Sequence, residues 1–204
     1  MPVEWSATVL AVTPRIHLTR SFDQRSREYL GYAVRLDGTI AGAPRTFAVA
    51  VGKAAHAKHA FRRGDAVSGR AEPVARPEAD WIDVHKASGL RVVERGPAIE
   101  SAPPWYGVPP AIDAYRERGM RRLARPTFDT TCAGCMWGVE MAVTMIVDQW
   151  KPDVVRYRTE TFCYGPKSCP IYRPGPRRVV PGRKGMSYEE PDWVDEEETS
   201  HRDD

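Results

Sequence analysis

The sequence contains no apolar run near the roughly eighteen residues that a membrane-spanning helix needs, so no membrane helix is expected. Its opening, Met1-Pro-Val-Glu-Trp-Ser6, has neither a basic segment nor an apolar stretch behind it, and no export signal is expected. Cysteine is scarce, four in 204 residues, and with no export signal a reducing cytoplasm is the expected compartment rather than a disulfide-forming one. Catalytic signatures are missing too. There is no G-x-S-x-G, P-loop, H-E-x-x-H, paired-carboxylate motif or Gly-rich phosphate loop, which favours a binding protein over an enzyme.

What is present is ordinary for a folded chain of one or two domains: 28% charged and 42% hydrophobic residues. Eighteen prolines and sixteen glycines, many beyond residue 95, announce long irregular connections. The formal charge of +3 hides an asymmetry. From residue 186 onward nine acidic residues face a single Arg202, which leaves 29 basic and 18 acidic groups on the rest, a body of +11. A basic body with an acidic tail points to an electrostatic partnership, with the tail folded back, competing with a polyanion or simply solvated.

Residues 3 to 95 read as short strands between turn signals. Trp5 to Thr13 is rich in β-branched residues, Pro14 interrupts, and Ile16 to Thr19 resumes. Glu28 to Leu36 is a second strand closed by Asp37-Gly38, and Arg45 to Val51 a third. Lys53 to Phe61 switches to helix formers at helical spacing. Ala66 to Val74 is a fourth strand, and Trp81–His85 with Leu90–Val93 a fifth, split at Ser88-Gly89. The junction Phe61-Arg-Arg-Gly-Asp-Ala-Val-Ser-Gly-Arg-Ala71 resembles the helix-to-fourth-strand passage of the oligonucleotide/oligosaccharide-binding (OB) fold. That resemblance covers about residues 1–95 and implies a five-stranded barrel with a ligand face on its second and third strands. On the second strand Leu30, Tyr32, Val34 and Leu36 share the apolar, core-facing side. Tyr29, Gly31, Ala33 and Arg35 share the other, where Tyr29 can stack on a base and Arg35 meet a phosphate.

Beyond the barrel, 96–110 reads as a Pro-rich linker and 111–185 as a small helix-plus-strand module, so the expected class is α+β. Ala111 to Ala124 is expected to be helical, started by Pro109-Pro110 and ended by Pro126. All four cysteines fall within 38 residues: Cys132 and Cys135 as C-x2-C ahead of an apolar stretch read as a helix, Cys163 and Cys169 at the end of a returning strand. Two such pairs can converge as one tetrahedral thiolate set. Four thiolates suit structural Zn²⁺ and equally a 4Fe–4S cluster, and spacing alone does not choose between them. A disulfide or redox-thiol pairing is the further alternative. His56 and His59, one helical turn apart, lack a third ligand.

Arg173, Arg177, Arg178, Arg183 and Lys184 follow Tyr172 on a proline-pinned segment that can track a phosphate backbone while Tyr172 stacks. Residues 186–204 form an irregular acidic tail in which Trp193 is an aromatic anchor for the body or for a protein partner. The expected function is binding of single-stranded or structured nucleic acid, RNA or DNA, with a four-cysteine metal site. The alternatives are an iron–sulfur protein for electron transfer or redox sensing, and a scaffold subunit of a larger complex.

Overall fold

The computed structural model describes residues 1–22, 24–97 and 102–204. Part of the expected linker, 98–101, lies outside the described residues. The chain is mostly β with a few short helices, and no helix among the described residues is long and apolar enough to cross a membrane.

Strand β1 (Val3–Arg20) pairs antiparallel with β2 (Arg25–Ile40) along almost its whole length. Next come β3 (Ala43–Val51), helix α1 (Lys53–His59), β4 (Ala66–Pro73) and β5 (Val84–Glu94). β3 meets β5 in parallel, β5 pairs antiparallel with β4, and β4 returns antiparallel to β1. The five strands thus close a ring in the order β1-β2-β3-β5-β4. Its interior is apolar: Trp5, Val9, Leu36, Phe47, Val49 and Val67 are among the buried residues.

Three local rules resolve differently from expectation. Pro14 does not break β1, because between Thr8, where β4 stops, and His17, where the next partner starts, only β2 flanks it. Asp37-Gly38 is not a turn. Gly38 lies within β2, where a Cβ would sit 2.4 Å from the Ser6 carbonyl oxygen, and the reversal falls on Ala41-Gly42, both at positive φ. A bulge between Arg15 and Ile16 skips Leu30, so Leu30 is exposed and Tyr29 turns inward.

The C-terminal half grows from the same strand. Helix α2 (Ile112–Arg118) is shorter than expected, and Pro126, rather than ending it, sits in the first turn of α3 (Arg125–Thr130) after the two-residue β6 (Arg121–Arg122). The segment behind the C-x2-C is a 3₁₀ turn (Cys132–Gly134) and then strand β7 (Gly138–Ile146), not a helix. β7 runs parallel to the end of β1 and antiparallel to β8 (Val155–Cys163), with Lys151-Pro152-Asp153 in the connecting turn. Burial on both faces explains the misreading, since such a strand shows no apolar–polar alternation. A second core packs Leu18, Met141, Val143 and Phe162 under Tyr115 and Tyr164.

The acidic tail is ordered, not irregular. β9 (Val179–Pro181) pairs with β10 (Ser187–Glu189), and α4 (Trp193–Thr199) buries Val194 and Thr199. Ion pairs seat it: Glu190 on Arg20 and Arg25, Glu198 on Arg25 and Arg27, Asp192 and Asp195 on Arg122.

Candidate metal centre and nucleic-acid interface

Cys132 and Cys135 sit on the 3₁₀ turn that opens the β7–β8 hairpin, with the Cys135 amide bonded to the Cys132 carbonyl at 3.0 Å. Gly138, the first residue of β7, pairs directly with Cys163 at the end of β8. A Cβ at Gly138 would lie 2.3 Å from the Cys132 carbonyl oxygen, so only glycine lets the turn close over the hairpin end. Cys132, Cys135 and Cys163 share one buried cluster with Leu123 and Phe128, and all four cysteines are unbridged. Cys169 is half-buried at the far side of the loop from Tyr164, near enough to Cys132 and Cys163 to act on both electrostatically.

The surroundings of two sulfurs favour negative charge. Cys135 accepts hydrogen bonds from the backbone amides of Trp137, Trp105 and Gly138. Cys163 accepts the Gly165 amide at 3.3 Å, and the nearby Arg121 guanidinium favours its thiolate. Burial works the other way: together with the neighbouring thiols it pushes Cys132 up to about 12. Burial likewise pushes the Cys135 and Cys163 thiols up, against the backbone amides that favour their thiolates. Among the described residues no group of three or more His, Cys, Asp or Glu side chains forms a ready metal-ion site. His56 is buried instead in a joint between α1 and residues 109–110, its ring 3.9 Å from that of Tyr32 and its Nε2 3.2 Å from the Pro109 carbonyl oxygen.

The expected nucleic-acid residues are scattered. Tyr29 lies beneath Arg116, 4.8 Å from its ring centre, and shares a hydrogen bond with Tyr164. Arg35 is tied to Glu140 at 3.0 Å and rests over Trp81. The expected ligand face is closed: Ala33, Ala48 and Ala50 are buried beneath Val74, Trp81 and Ile82. Tyr172 is half-buried, donates to the Arg122 carbonyl and carries Arg121 on its ring. Arg177 is spent on Asp192 and Glu189, Arg178 on Glu160 and the Thr161 carbonyl. Arg173 bonds carbonyls within its own turn, Arg183 reaches Asp148 at 3.8 Å, and Lys184 is exposed and makes no ion pair among the described residues. They do not form one strip.

A different group converges at the edge of the closed face. Between β1 and the cysteine turn lies a cleft of about 290 Å³ whose polar lining includes Arg35, Arg63, Tyr106, Thr130, Thr131 and Asp129, the last paired with Arg125 at 2.9 Å. Arg63 is exposed, lies over Tyr106 at 4.2 Å and makes no ion pair among the described residues. The Gly134 position touches both Arg63 and Tyr106, so the cysteine turn forms the cleft's wall. The one sequence signal for it was Arg62-Arg63 in the junction before Gly64; Tyr106 was hidden in the Pro-rich stretch. Comparisons with family models, curated proteins and solved structures found no match for this chain.

Proposed function

We propose that the chain is an OB-like nucleic-acid-binding protein whose ligand site has moved from the face of the barrel to the cleft between β1 and a four-cysteine metal turn. The ring order β1-β2-β3-β5-β4, with β3 and β5 parallel, supports the OB reading. The observation that carries the ligand assignment is Arg63, an uncommitted cation stacked on Tyr106 beside Arg35 and two threonine hydroxyls. A cation and an aromatic ring together suit a phosphate and an adjacent base.

The metal reading rests on the donor set. Cys132, Cys135 and Cys163 share one buried cluster at the hairpin end, Cys169 lies close enough to act on Cys132 and Cys163, and the backbone around Cys135 and Cys163 favours negative charge on the sulfurs. Cys132, Cys135, Cys163 and Cys169 would hold the ion. A thiolate turn opening a β-hairpin favours zinc over an iron–sulfur cluster, and four sulfurs fill a tetrahedral shell, so the ion's chemistry is structural. Its role for the cleft is to fix the backbone from Thr130 to Gly134.

Fluorescence anisotropy with a labelled single-stranded oligonucleotide, at two salt concentrations, tests the ligand. Arg63→Ala and Tyr106→Ala are each expected to weaken binding by about 5-fold to 100-fold, the range of one stacking contact. Arg63→Ala is also expected to flatten the salt dependence by about one phosphate contact. No binding by the intact chain at low salt would end this reading. Metal analysis tests the centre: colourless protein with one zinc supports it, and brown protein with iron and sulfide replaces zinc by a cluster.

A further inference from the structure

At the end of the molecule away from the cysteine turn, the tips of two hairpins and the start of α4 enclose a groove of about 390 Å³. Phe22 from the β1–β2 turn, Tyr188 from β10 and Trp193 from α4 supply its aromatic surface. Phe22 and Tyr188 are in ring contact at 4.9 Å, and Trp193 is 59% exposed. Arg183, beside the β9–β10 turn, reaches Asp148 in the β7–β8 turn, which brings the exposed Met186 and Trp150 to the same end. Isolated exposed apolar residues need no explanation, whereas aromatics converging on a concave surface mark an interaction site.

Charge selects the partner. The cations in the groove are already neutralised: Arg20 by Glu160 and Glu190, Arg25 by Glu190 and Glu198. The surplus is negative. Glu197 lines the groove, Glu196 adjoins it on α4, and neither enters an ion pair among the described residues, while Glu189 has only the exposed Arg177 at 3.6 Å. Nucleic acid and anionic lipid are both repelled by such a rim.

We infer that this groove docks a segment of a partner protein that carries an aromatic or large aliphatic anchor flanked by lysine or arginine. The anchor lies between Phe22 and Trp193, and the flanking cation meets Glu197. This surface is separate from the nucleic-acid cleft and does not rest on it.

Panning a phage-displayed library of random short peptides on the full chain, with counter-selection on the Phe22→Ser/Trp193→Ser double variant, tests it. The expected result is enrichment of peptides pairing an aromatic or aliphatic residue with Lys or Arg. A recovered peptide, labelled for anisotropy, is expected to bind at least about tenfold more weakly to Trp193→Ser and to lose affinity with added salt. Glu197→Lys, which changes only an exposed side chain, is expected to weaken it too while leaving the melting temperature unchanged. Failure to enrich, enrichment of acidic peptides or equal recovery on the double variant each overturns the proposal. So does a dimer in sedimentation velocity that Trp193→Ser abolishes, which would assign the groove to a second copy of the chain.

Discussion

The ring and the C-terminal half share strand β1, yet they bury different things. Inside the ring the core is aliphatic and aromatic, and its fully buried carboxylate, Asp65, is satisfied locally by the Arg62 and Gly96 amides and by Arg95. The C-terminal half buries Arg122, Glu140, Glu160 and Arg202, together with Arg20 from the end of β1. Glu160 receives Arg158 at 2.7 Å and lies within 3.4 Å of Arg20 and Arg178. The contrast teaches how a chain copes when apolar area runs short. The ring folds on its hydrophobic surface, while the C-terminal half adds a buried ionic network and the tail that completes it.

The largest expected effect separates the two regions outright. If the proposed zinc is bound, Cys135→Ser, or chelation of the intact protein, should release it and strip hydrogen-exchange protection from β7 and β8. Structural zinc contributes on the order of 10 kcal/mol in small domains, more than this half can replace. β2 and β3 should stay protected, because their packing is internal to the ring. The end of β1, from His17 to Arg20, should loosen with β7, its partner there. Simultaneous loss of protection in β3 would show that the ring has no stability of its own.

Two substitutions of similar size sharpen the difference in kind. Leu36→Ala removes a fully buried side chain from the ring and should cost about 3–5 kcal/mol in urea unfolding, with no salt dependence. Glu160→Ala leaves Arg20, Arg158 and Arg178 crowded around a missing partner and should cost about 3 kcal/mol, the lower end for a broken buried pair. Glu190 still neutralises Arg20, which is why the lower end applies. Removing a cation as well, in Glu160→Met with Arg20→Met, should recover part of that loss, since an apolar replacement of a buried pair is often neutral. A double variant worse than Glu160→Ala would mean that the network, rather than burial, organises this half.

This contrast also governs what could be read from the sequence. Along β2 and β3 large apolar residues alternate with small ones, Phe47, Val49 and Val51 with Ala48 and Ala50, so β3 and the inward set Tyr32, Val34, Leu36 and Phe47 were visible, whereas the covering of the alanine side by Trp81 and Ile82 was not. Leu30 and Tyr29 were misassigned because the bulge opposite Arg15 is a property of two paired strands, not of either one. The stretch Gly138–Ile146 mixes methionine and alanine with valine and is dry on both sides, so its period was lost. Spacing made the nearness of Cys132, Cys135 and Cys163 legible, and Cys169 lies outside the buried cluster that they share. The arginines were not legible: Arg177 and Arg178 read as a free basic strip because their partners, Asp192 and Glu160, are chosen by the fold.

The smallest effect lies where the tail begins. Arg177 and Arg122 hold the Asp192 carboxyl down at about 2, whereas an aspartate in an unfolded chain titrates near ~3.9. A depressed folded value means that the contribution of Asp192 is complete above about pH 4 and is lost as the pH falls from there through about 2. Asp192 is exposed, so its grip is weak and sensitive to ionic strength. On acidification the amide and indole signals of neighbouring Trp193 should therefore shift within that window as the start of α4 loosens, while signals from Val49 in the ring stay fixed. Added salt should move the midpoint upward toward the unfolded value, because screening weakens both guanidinium contacts. Asp192→Asn should remove the transition at Trp193 and leave that of Asp204, itself lowered by Arg118, in place. An unchanged Trp193 titration in that variant would show that Asp192 does not hold the start of α4.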